Sequence, residues 1–345
     1  VGHSGSVRVG VLGASGFVGV ELLRLIAQHP RMELVYATGD SQAGTLASSL
    51  YPSLATAYPT LVLEEFDLAR AGECDVVFLA LPHEASLALV PQLVDHVRLV
   101  VDLSAAYRLK DAAAYPRWYG FTHDQPELLR EAVYGLPELY REALRDTRLI
   151  ATPGCYVTAA SMAIAPLVRA GIIEPTRVIV DAASGVSGAG RAPKPNTTFC
   201  AVDEDVVAYG LLDHRHTPEI EQVSGAQVLF TPHLVPMNRG ILATCYATPA
   251  SGADLTSQSV LAALAKAYAG EPFVVVRPTP PSTKATMGTN SVHLSARYDV
   301  RTNTVIVLSA LDNLTKGAAG GAVQATNVAL GFPETDGLSR VGLYP

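Results

Sequence analysis

Residue 155 is a cysteine placed to act as a nucleophile. In Thr152-Pro153-Gly154-Cys155-Tyr156 it follows a short apolar run at 149–151 and opens a helical pattern over 156–170. A thiol at a helix start sits where negative charge is stabilised, and the thiolate is the attacking form. A buried structural cysteine is the alternative, and it is the reading given to Cys74, Cys200 and Cys245. The densest polar cluster of the chain, Asp213-His214-Arg215-His216-Thr217-Pro218-Glu219-Ile220, offers a base. Thr217-Pro218-Glu219 reads as a helix start, so both histidines precede a helix. His214 and His216 face one way if their segment is extended. They could be two metal ligands, although no third ligand follows at a zinc spacing. They could be a satisfied structural pair. Or one could be the general base for Cys155, with Arg215 holding an anionic substrate.

A second group of residues suits a dinucleotide. Gly13-Ala14-Ser15-Gly16-Phe17-Val18-Gly19 lies between a strand pattern and a helical one. Glycine lets the backbone approach a phosphate, and the helix start offers free N–H groups and a positive dipole end. The spacing is GxxGxxG, and a tight structural turn is the alternative. Near the end of the second strand pattern, Asp40 could bind a ribose hydroxyl, while Thr38 and Ser41 could equally bind a 2′-phosphate. Ser184-Gly185-Val186-Ser187-Gly188-Ala189-Gly190-Arg191 follows a strand pattern, and its small residues suit a phosphate or a nicotinamide ring. Arg191 and Lys194 add positive charge there, although a surface loop reads the same way. Arg108, in Asp102-Leu103-Ser104-Ala105-Ala106-Tyr107-Arg108, follows a strand end, where ligands gather in open α/β sheets. An ordinary surface arginine is the competing reading.

These residues need two kinds of scaffold. Apolar runs at 7–12, 34–37, 76–81, 99–103 and 149–151, separated by helical or loop segments, predict a Rossmann-like doubly wound parallel sheet. Strand-like stretches at 177–183, 228–231, 241–248, 273–276, 291–298 and 304–310 follow, with helical patterns at 156–170 and 257–269. Several alternate, as in Val292-His293-Leu294-Ser295-Ala296, so the second half reads as an α+β domain on a mixed or antiparallel sheet. The fold class is therefore α/β, with the domain boundary near Thr152-Pro153-Gly154. A last helix is expected over about 316–330, stopped by Gly331-Phe332-Pro333.

Composition removes other classes. The 345 residues are 49% hydrophobic and 17% charged, against roughly 25% charged in an average domain, so the chain is core-rich rather than disordered. Four cysteines without a CxxC pair exclude a disulfide scaffold and a zinc ribbon and fit a reducing cytosol. A net charge of −7 with no Lys/Arg run argues against nucleic acid as a partner. No apolar stretch approaches the ~20 residues that span a bilayer. The N-terminal Val1-Gly2-His3-Ser4-Gly5-Ser6 is short and polar and does not read as a signal peptide. A cytoplasmic protein of two domains is expected.

The stretches together resemble the N-acetyl-gamma-glutamyl-phosphate reductase family of the semialdehyde dehydrogenase superfamily. The matching segments are 13–19, FLALPH at 78–83, 102–108, YGLPEL at 134–139, PGCY at 153–156, SGVSGAGR at 184–191, HRHTPEI at 214–220, RGIL at 239–242 and 312–324. They run through nearly the whole chain in the family's order. HRHTPEI with an upstream PGCY is the specific part. The resemblance implies an enzyme of arginine biosynthesis that reduces an acyl phosphate to a semialdehyde through a Cys155 thioester. Its hydride donor would be NADPH rather than NADH, without a metal. His216 is the implied acid/base group, with His214 as the other candidate. Arg108, Arg215, Glu138, Ser187 and Arg191 would face the substrate. Gly13, Ser15, Gly16, Phe17, Val18, Ser41, Pro82, Ser187, Gly188 and Asn313 would line the dinucleotide site. The domains implied are 1–153 for the dinucleotide, with 314–345 packing back on it, and 154–313 for catalysis and assembly into a homodimer or homotetramer. Asp40 departs from the family pattern and bears on NADP against NAD. The competing readings are a reductase of a carrier-protein-linked aminoadipyl or glutamyl phosphate, and a nucleotide-binding sensor without chemistry.

Overall fold

The computed structural model describes residues 6–344, so the polar stretch at 1–5 lies outside the described residues. Two compact units divide the chain. Among the described residues one holds 6–115, Phe121–Pro153 and Ala318–Leu338; the other holds Pro116–Gly120, Gly154–Gly317 and 339–344.

Six parallel strands build the first unit: β1 (Val7–Leu12), β2 (Met32–Ala37), β3 (Val76–Leu79), β4 (Leu99–Asp102), β5 (Val133–Tyr134) and β6 (Leu149–Ala151). Their order is β2-β1-β3-β4-β6-β5. β3 and β4 are buried at every position, which is why they read as unbroken apolar runs instead of alternating ones. The order reverses between β1 and β3, and the glycine turn leaves the carboxyl end of β1 at that switch, where open α/β sheets bind ligands. The helix Gly320–Leu330 packs on the helices Phe17–Ile26 and Pro137–Leu144 and is buried over most of its length. His29 Nε2 lies 3.0 Å from Asn327 Oδ1, Arg31 pairs with Asp336 at 2.8 Å, and Arg141 pairs with Glu334 at 2.6 Å.

The sequence reading assigned all of 314–345 to this unit, and the structure assigns it only Ala318–Leu338. Beyond that point the chain joins the second unit. The Asn290 N–H donates to the Ser339 carbonyl at 2.9 Å, and the Leu343 N–H donates to the Met287 carbonyl at 2.9 Å.

The second unit carries seven strands: β7 (Val178–Gly185), β8 (Val207–Ala208), β9 (Val228–Val235), β10 (Ile241–Ala247), β11 (Val274–Val276), β12 (Val292–Asp299) and β13 (Thr304–Leu311). Their order is β11-β12-β13-β10-β7-β9-β8. The sheet is mixed: β7 and β9 run parallel, as do β11 and β12, and the other pairs are antiparallel. Period-two burial follows from a single helical layer. Val178, Val180, Ile241, Ala243, Cys245, Val305 and Val307 are buried on one face, and the helix Cys155–Arg169 packs on β10 and β13. That helix is buried without a break from Tyr156 to Leu167, so its sequence is apolar nearly all round. On the other face Leu229, Ile179, Tyr246 and Ile306 stand opposite one another in register across four strands, all at least partly exposed. The helix expected from residue 316 is preceded by a wide π-type turn at Thr315–Ala319 and starts only at Gly320.

Candidate active site

Cys155 is the first residue of the helix Cys155–Arg169, with Gly154 as its N-cap and no side chain capping it. Cys155 is partly exposed, whereas the helix from Tyr156 to Leu167 is buried. Gly154 has an ordinary extended backbone, φ −67° and ψ 147°, so its turn does not require glycine. Space does: a Cβ there would stand 2.3 Å from His216 Nε2 and 2.7 Å from two ring carbons. The imidazole of His216 therefore rests on the residue that precedes the thiol. Gly317, in the π-type turn, packs directly against Cys155, since a Cβ on it would stand 2.8 Å from that of Cys155. Sequence reasoning missed Gly317; its only signal was its place in the stretch 312–324.

The two histidines differ. His216 is the N-cap of the helix Thr217–Ser224 and is buried. Its backbone N–H donates to His214 Nδ1 at 3.1 Å, which puts the His214 proton on Nε2. Burial, and then the charge of Arg215, hold the His214 pKa down at about 4. His214 meets Tyr156, Tyr209 and Phe230 edge-on. The Tyr209 hydroxyl donates to that of Tyr156 at 3.2 Å, and the Tyr156 hydroxyl donates to the His233 carbonyl at 3.0 Å. Burial raises both phenols, Tyr209 to about 12.

Glu219 and Tyr119 were not singled out from the sequence. Glu219 is fully buried and accepts the Gly154 N–H on Oε2 at 3.2 Å. Its other oxygen accepts the Tyr119 hydroxyl at 2.9 Å, with the Arg215 carbonyl also within reach of that hydroxyl at 3.1 Å. Arg215 itself is exposed. Elsewhere in this unit, Asn313 accepts the Gly240 N–H at 2.7 Å and donates to the Ser187 hydroxyl at 3.0 Å, so three predicted loop residues are tied together or adjacent: Ser187, Gly188 and Asn313. Arg191 lies beyond Gly190 and is exposed.

In the first unit the glycine turn is built for close approach. Gly13 has φ +87°, and a Cβ on it would stand 2.4 Å from the Ala80 carbonyl oxygen. The Gly13 N–H donates to Thr38 Oγ1, Ser15 Oγ donates to the Gly39 carbonyl, and the Tyr51 hydroxyl donates to the Ser15 carbonyl. Thr38 is thus a buried brace of the turn and not a surface contact for a 2′-phosphate. Gly16 caps the helix Phe17–Ile26 without a side chain, and a Cβ on it would meet only the Gly13 carbonyl, at 3.6 Å. Phe17 and Val18 are half-buried, while Asp40, Ser41 and Pro82 are exposed.

Arg108 is buried, and its Nη2 donates to the Leu103 carbonyl at 2.8 Å. The loop before it is pinned by Asp102, which is fully buried and accepts both the N–H and the hydroxyl of Ser104 at 2.9 Å. Burial raises the Asp102 carboxyl despite these bonds and the Arg108 charge. Glu138 accepts from Gln324 Nε2 at 3.0 Å, and the same nitrogen donates to Glu334 at 3.0 Å.

Cys74 and Cys245 are buried, and burial pushes their thiols up to about 11 and about 12. Cys200, read as buried, is exposed in the short helix Phe199–Val202. Among the described residues no group of three or more His, Cys, Asp or Glu is arranged to hold a metal ion, and no helix is long and apolar enough to cross a membrane.

Both units have counterparts in known proteins. A semialdehyde dehydrogenase NAD-binding domain matches residues 8–147, and a semialdehyde dehydrogenase dimerisation domain matches 155–313. Aspartate semialdehyde dehydrogenase II from Vibrio cholerae shares the fold with a TM-score of 0.69 at 18% identity, over 94% of this chain and 98% of that one. The Candida albicans enzyme, solved with NADP, gives 0.68 at 17%, again over 94% and 98%. Sequence narrows the class. N-acetyl-gamma-glutamyl-phosphate reductase of Symbiobacterium thermophilum is 48% identical over 99% of this chain and all of its own length. The Pseudomonas aeruginosa reductase is 46% identical over 98% of this chain and all of its own. The chain belongs to the N-acetyl-gamma-glutamyl-phosphate reductase family.

Proposed function

We propose that this chain reduces N-acetyl-gamma-glutamyl phosphate to N-acetylglutamate semialdehyde and inorganic phosphate, with NADPH, as a step of arginine biosynthesis. The observation that carries the reading is the packing of His216 against Gly154, which sets a base beside a thiol at a helix start in a chain of this family. A carboxylate is a poor electrophile and must arrive activated as its phosphate. Cys155 attacks the acyl carbon, the bond to the phosphate oxygen breaks, and a thioester forms. His216 accepts the thiol proton through Nε2, and the first-turn N–H groups stabilise the oxyanion. Bound NADPH supplies a hydride. Collapse of the tetrahedral carbon then releases the aldehyde and returns Cys155 as thiolate. His214, neutral down to about pH 4, serves as a brace for the His216 backbone. Arg108 and Arg215 are the anion contacts, with Glu138, Ser187 and Arg191 assigned to the substrate.

The glycine turn fits a dinucleotide: at Gly16 the helix start presents its N–H groups with no side chain over them. Gly13, Ser15, Gly16, Phe17, Val18, Ser41 and Pro82 would hold the nucleotide, along with Ser187, Gly188 and Asn313. Ser41 supports NADP; Asp40 beside it, exposed, is the residue that favours NAD. The row Leu229, Ile179, Tyr246 and Ile306 supports assembly into a homodimer or homotetramer, in a region that matches a dimerisation domain. Four free thiols support the cytoplasmic placement.

The test is the reverse reaction, followed as reduced cofactor by absorbance. N-acetylglutamate semialdehyde, phosphate and NADP are expected to react, with NAD slower. Turnover without phosphate would overturn the thioester route. Silence of folded protein with both cofactors would turn the reading toward carrier-linked acyl phosphates. A Cys155→Ser variant that binds cofactor but does not turn over excludes a sensor role.

A further inference from the structure

We propose that Asp40 gives this enzyme a second hydride donor, NADH, by holding the adenosine ribose of a cofactor that carries no 2′-phosphate. The inference rests on the proposed reaction and on the matched NAD-binding domain, and it names the residue that sets the choice between the two cofactors. In a doubly wound sheet the end of the second strand meets that ribose. An acidic residue there accepts from the free hydroxyls, whereas an arginine takes a 2′-phosphate.

The end of β2 is fastened to the glycine turn. The Gly13 N–H donates to Thr38 Oγ1 at 3.1 Å, the Ala14 N–H to the Thr38 carbonyl at 2.8 Å, and the Ser15 hydroxyl to the Gly39 carbonyl at 3.1 Å. Three consecutive residues of the phosphate-binding turn thus fix where residue 40 begins. The turn after β2 is itself tight. The Gln42 N–H donates to the Gly39 carbonyl at 3.0 Å, and the Ala43 N–H to the Asp40 carbonyl at 2.8 Å. Position 39 has no room for a side chain, since a Cβ there would stand 2.9 Å from the Leu63 Cβ and from the Gln42 carbonyl carbon. Asp40 takes a left-handed backbone, φ +49°, which aspartate and asparagine accept more readily than most residues. Thr38 is a buried brace, and the Gln42 amide donates back to the Ser41 carbonyl at 3.3 Å. Asp40 and Ser41, both exposed, are what this turn offers a ribose.

Charge decides between the two cofactors. The stretch 38–46 holds no lysine or arginine. Arg70 lies over the Tyr36 ring of β2, 5.5 Å from its centroid, but it is taken by Glu64 at 3.4 Å and by Glu73 at 2.7 Å. Glu64 pairs with Thr38 in a parallel bridge, and its carbonyl accepts the Gly39 N–H at 3.1 Å. A 2′-phosphate brings close to two negative charges toward the Asp40 carboxylate. A ribose diol brings two donors instead, and the two oxygens of a carboxylate accept them. The Ser41 hydroxyl keeps NADP acceptable, while Asp40 lowers its advantage and raises that of NAD. The enzyme therefore draws on both reduced nicotinamides.

The test removes charge and keeps shape. Asp40→Asn preserves the size of the side chain and tolerates the left-handed backbone. The full chain is titrated with NADP and with NAD by calorimetry, without substrate, and kcat/KM for each cofactor is measured in the reverse reaction. The wild type is expected to bind both, with dissociation constants within roughly 30-fold of each other and turnover in the same order. Asp40→Asn should weaken NAD roughly tenfold, the worth of a hydrogen bond to a charged group. It should tighten NADP roughly fivefold as the repulsion is lifted, so the ratio moves roughly 50-fold toward NADP. A wider gap in the wild type, or a ratio that Asp40→Asn moves by less than about threefold, overturns the proposal. Binding of neither cofactor overturns it outright. If folded wild type binds cofactor but turns over with neither, the proposed reaction fails, and the binding ratios still decide the role of Asp40.

Discussion

Gly154→Ala is the sharpest single perturbation of the thiol and the histidine proposed as its base. The backbone at 154 tolerates alanine, so no strain arises from φ or ψ. The added methyl would stand 2.3 Å from His216 Nε2, about 1 Å short of ordinary contact. The ring is buried and cannot swing into solvent, so it must retreat from the helix start by about that distance. A misplacement of 1 Å costs on the order of 100-fold in rate, or about 2.7 kcal/mol of barrier. Overpacking costs ~1–3 kcal/mol of stability, little enough for the protein to fold. The assay is kcat in the reverse reaction beside a thermal melt. Gly72→Ala is the control, because its Cβ would meet neighbours only at an ordinary 3.4 Å. A folded Gly154→Ala with kcat within threefold of wild type would refute the placement of His216 against the thiol.

Two further outcomes follow from the same coordinates. His214 has a folded pKa of about 4 against an ordinary 6.5, so as the pH falls the unfolded chain takes up the proton first. Its contribution to stability is whole above about pH 6.5, drains away toward pH 4 and is constant below, at most about 3 kcal/mol in all. His214→Asn keeps an acceptor for the His216 N–H and should flatten that part of the curve in urea titrations. An unchanged slope would show that His29, His123 and His293, also lowered by burial, account for the whole effect. For the thiols, mild alkylation should label Cys155 and Cys200 and spare Cys74 and Cys245. Mass spectrometry should find activity lost in step with Cys155 alone. Loss tracking Cys200 would move the nucleophile.

Local pattern carried the strands well, because β3 and β4 bury both faces and β10 buries one, and each case leaves its own mark in the apolar spacing. The thiol at a helix start was visible for the same reason: strand, glycine, cysteine and helix are neighbours in the chain. What pattern could not show depends on residues far apart. Glu219 reads as an ordinary acidic residue in a first helical turn, and nothing nearby says that it reaches Gly154. Gly154 looks like a turn glycine, but it is small because of a ring 62 positions away. Cys200 was assigned to the core by residue type, which carries no information on a short surface helix. The two compact units meet in sequence at Pro153, while the excursion at Pro116–Gly120 and the return at Ala318–Leu338 left no mark in composition.

The helix Gly320–Leu330 also sets an order of events during synthesis. The first unit is begun before the strands of the second unit are made and is completed only after them. Until then the surfaces of Phe17–Ile26 and Pro137–Leu144 that it covers stay bare, and His29, Arg31 and Arg141 wait for Asn327, Asp336 and Glu334. A chain stopped at Pro153 would hold every strand of its sheet and still present an open apolar flank. The nascent protein therefore depends on making Ala318–Leu338 before that flank finds another partner, and a chain circularly permuted to begin near Ala318 would make the waiting period disappear.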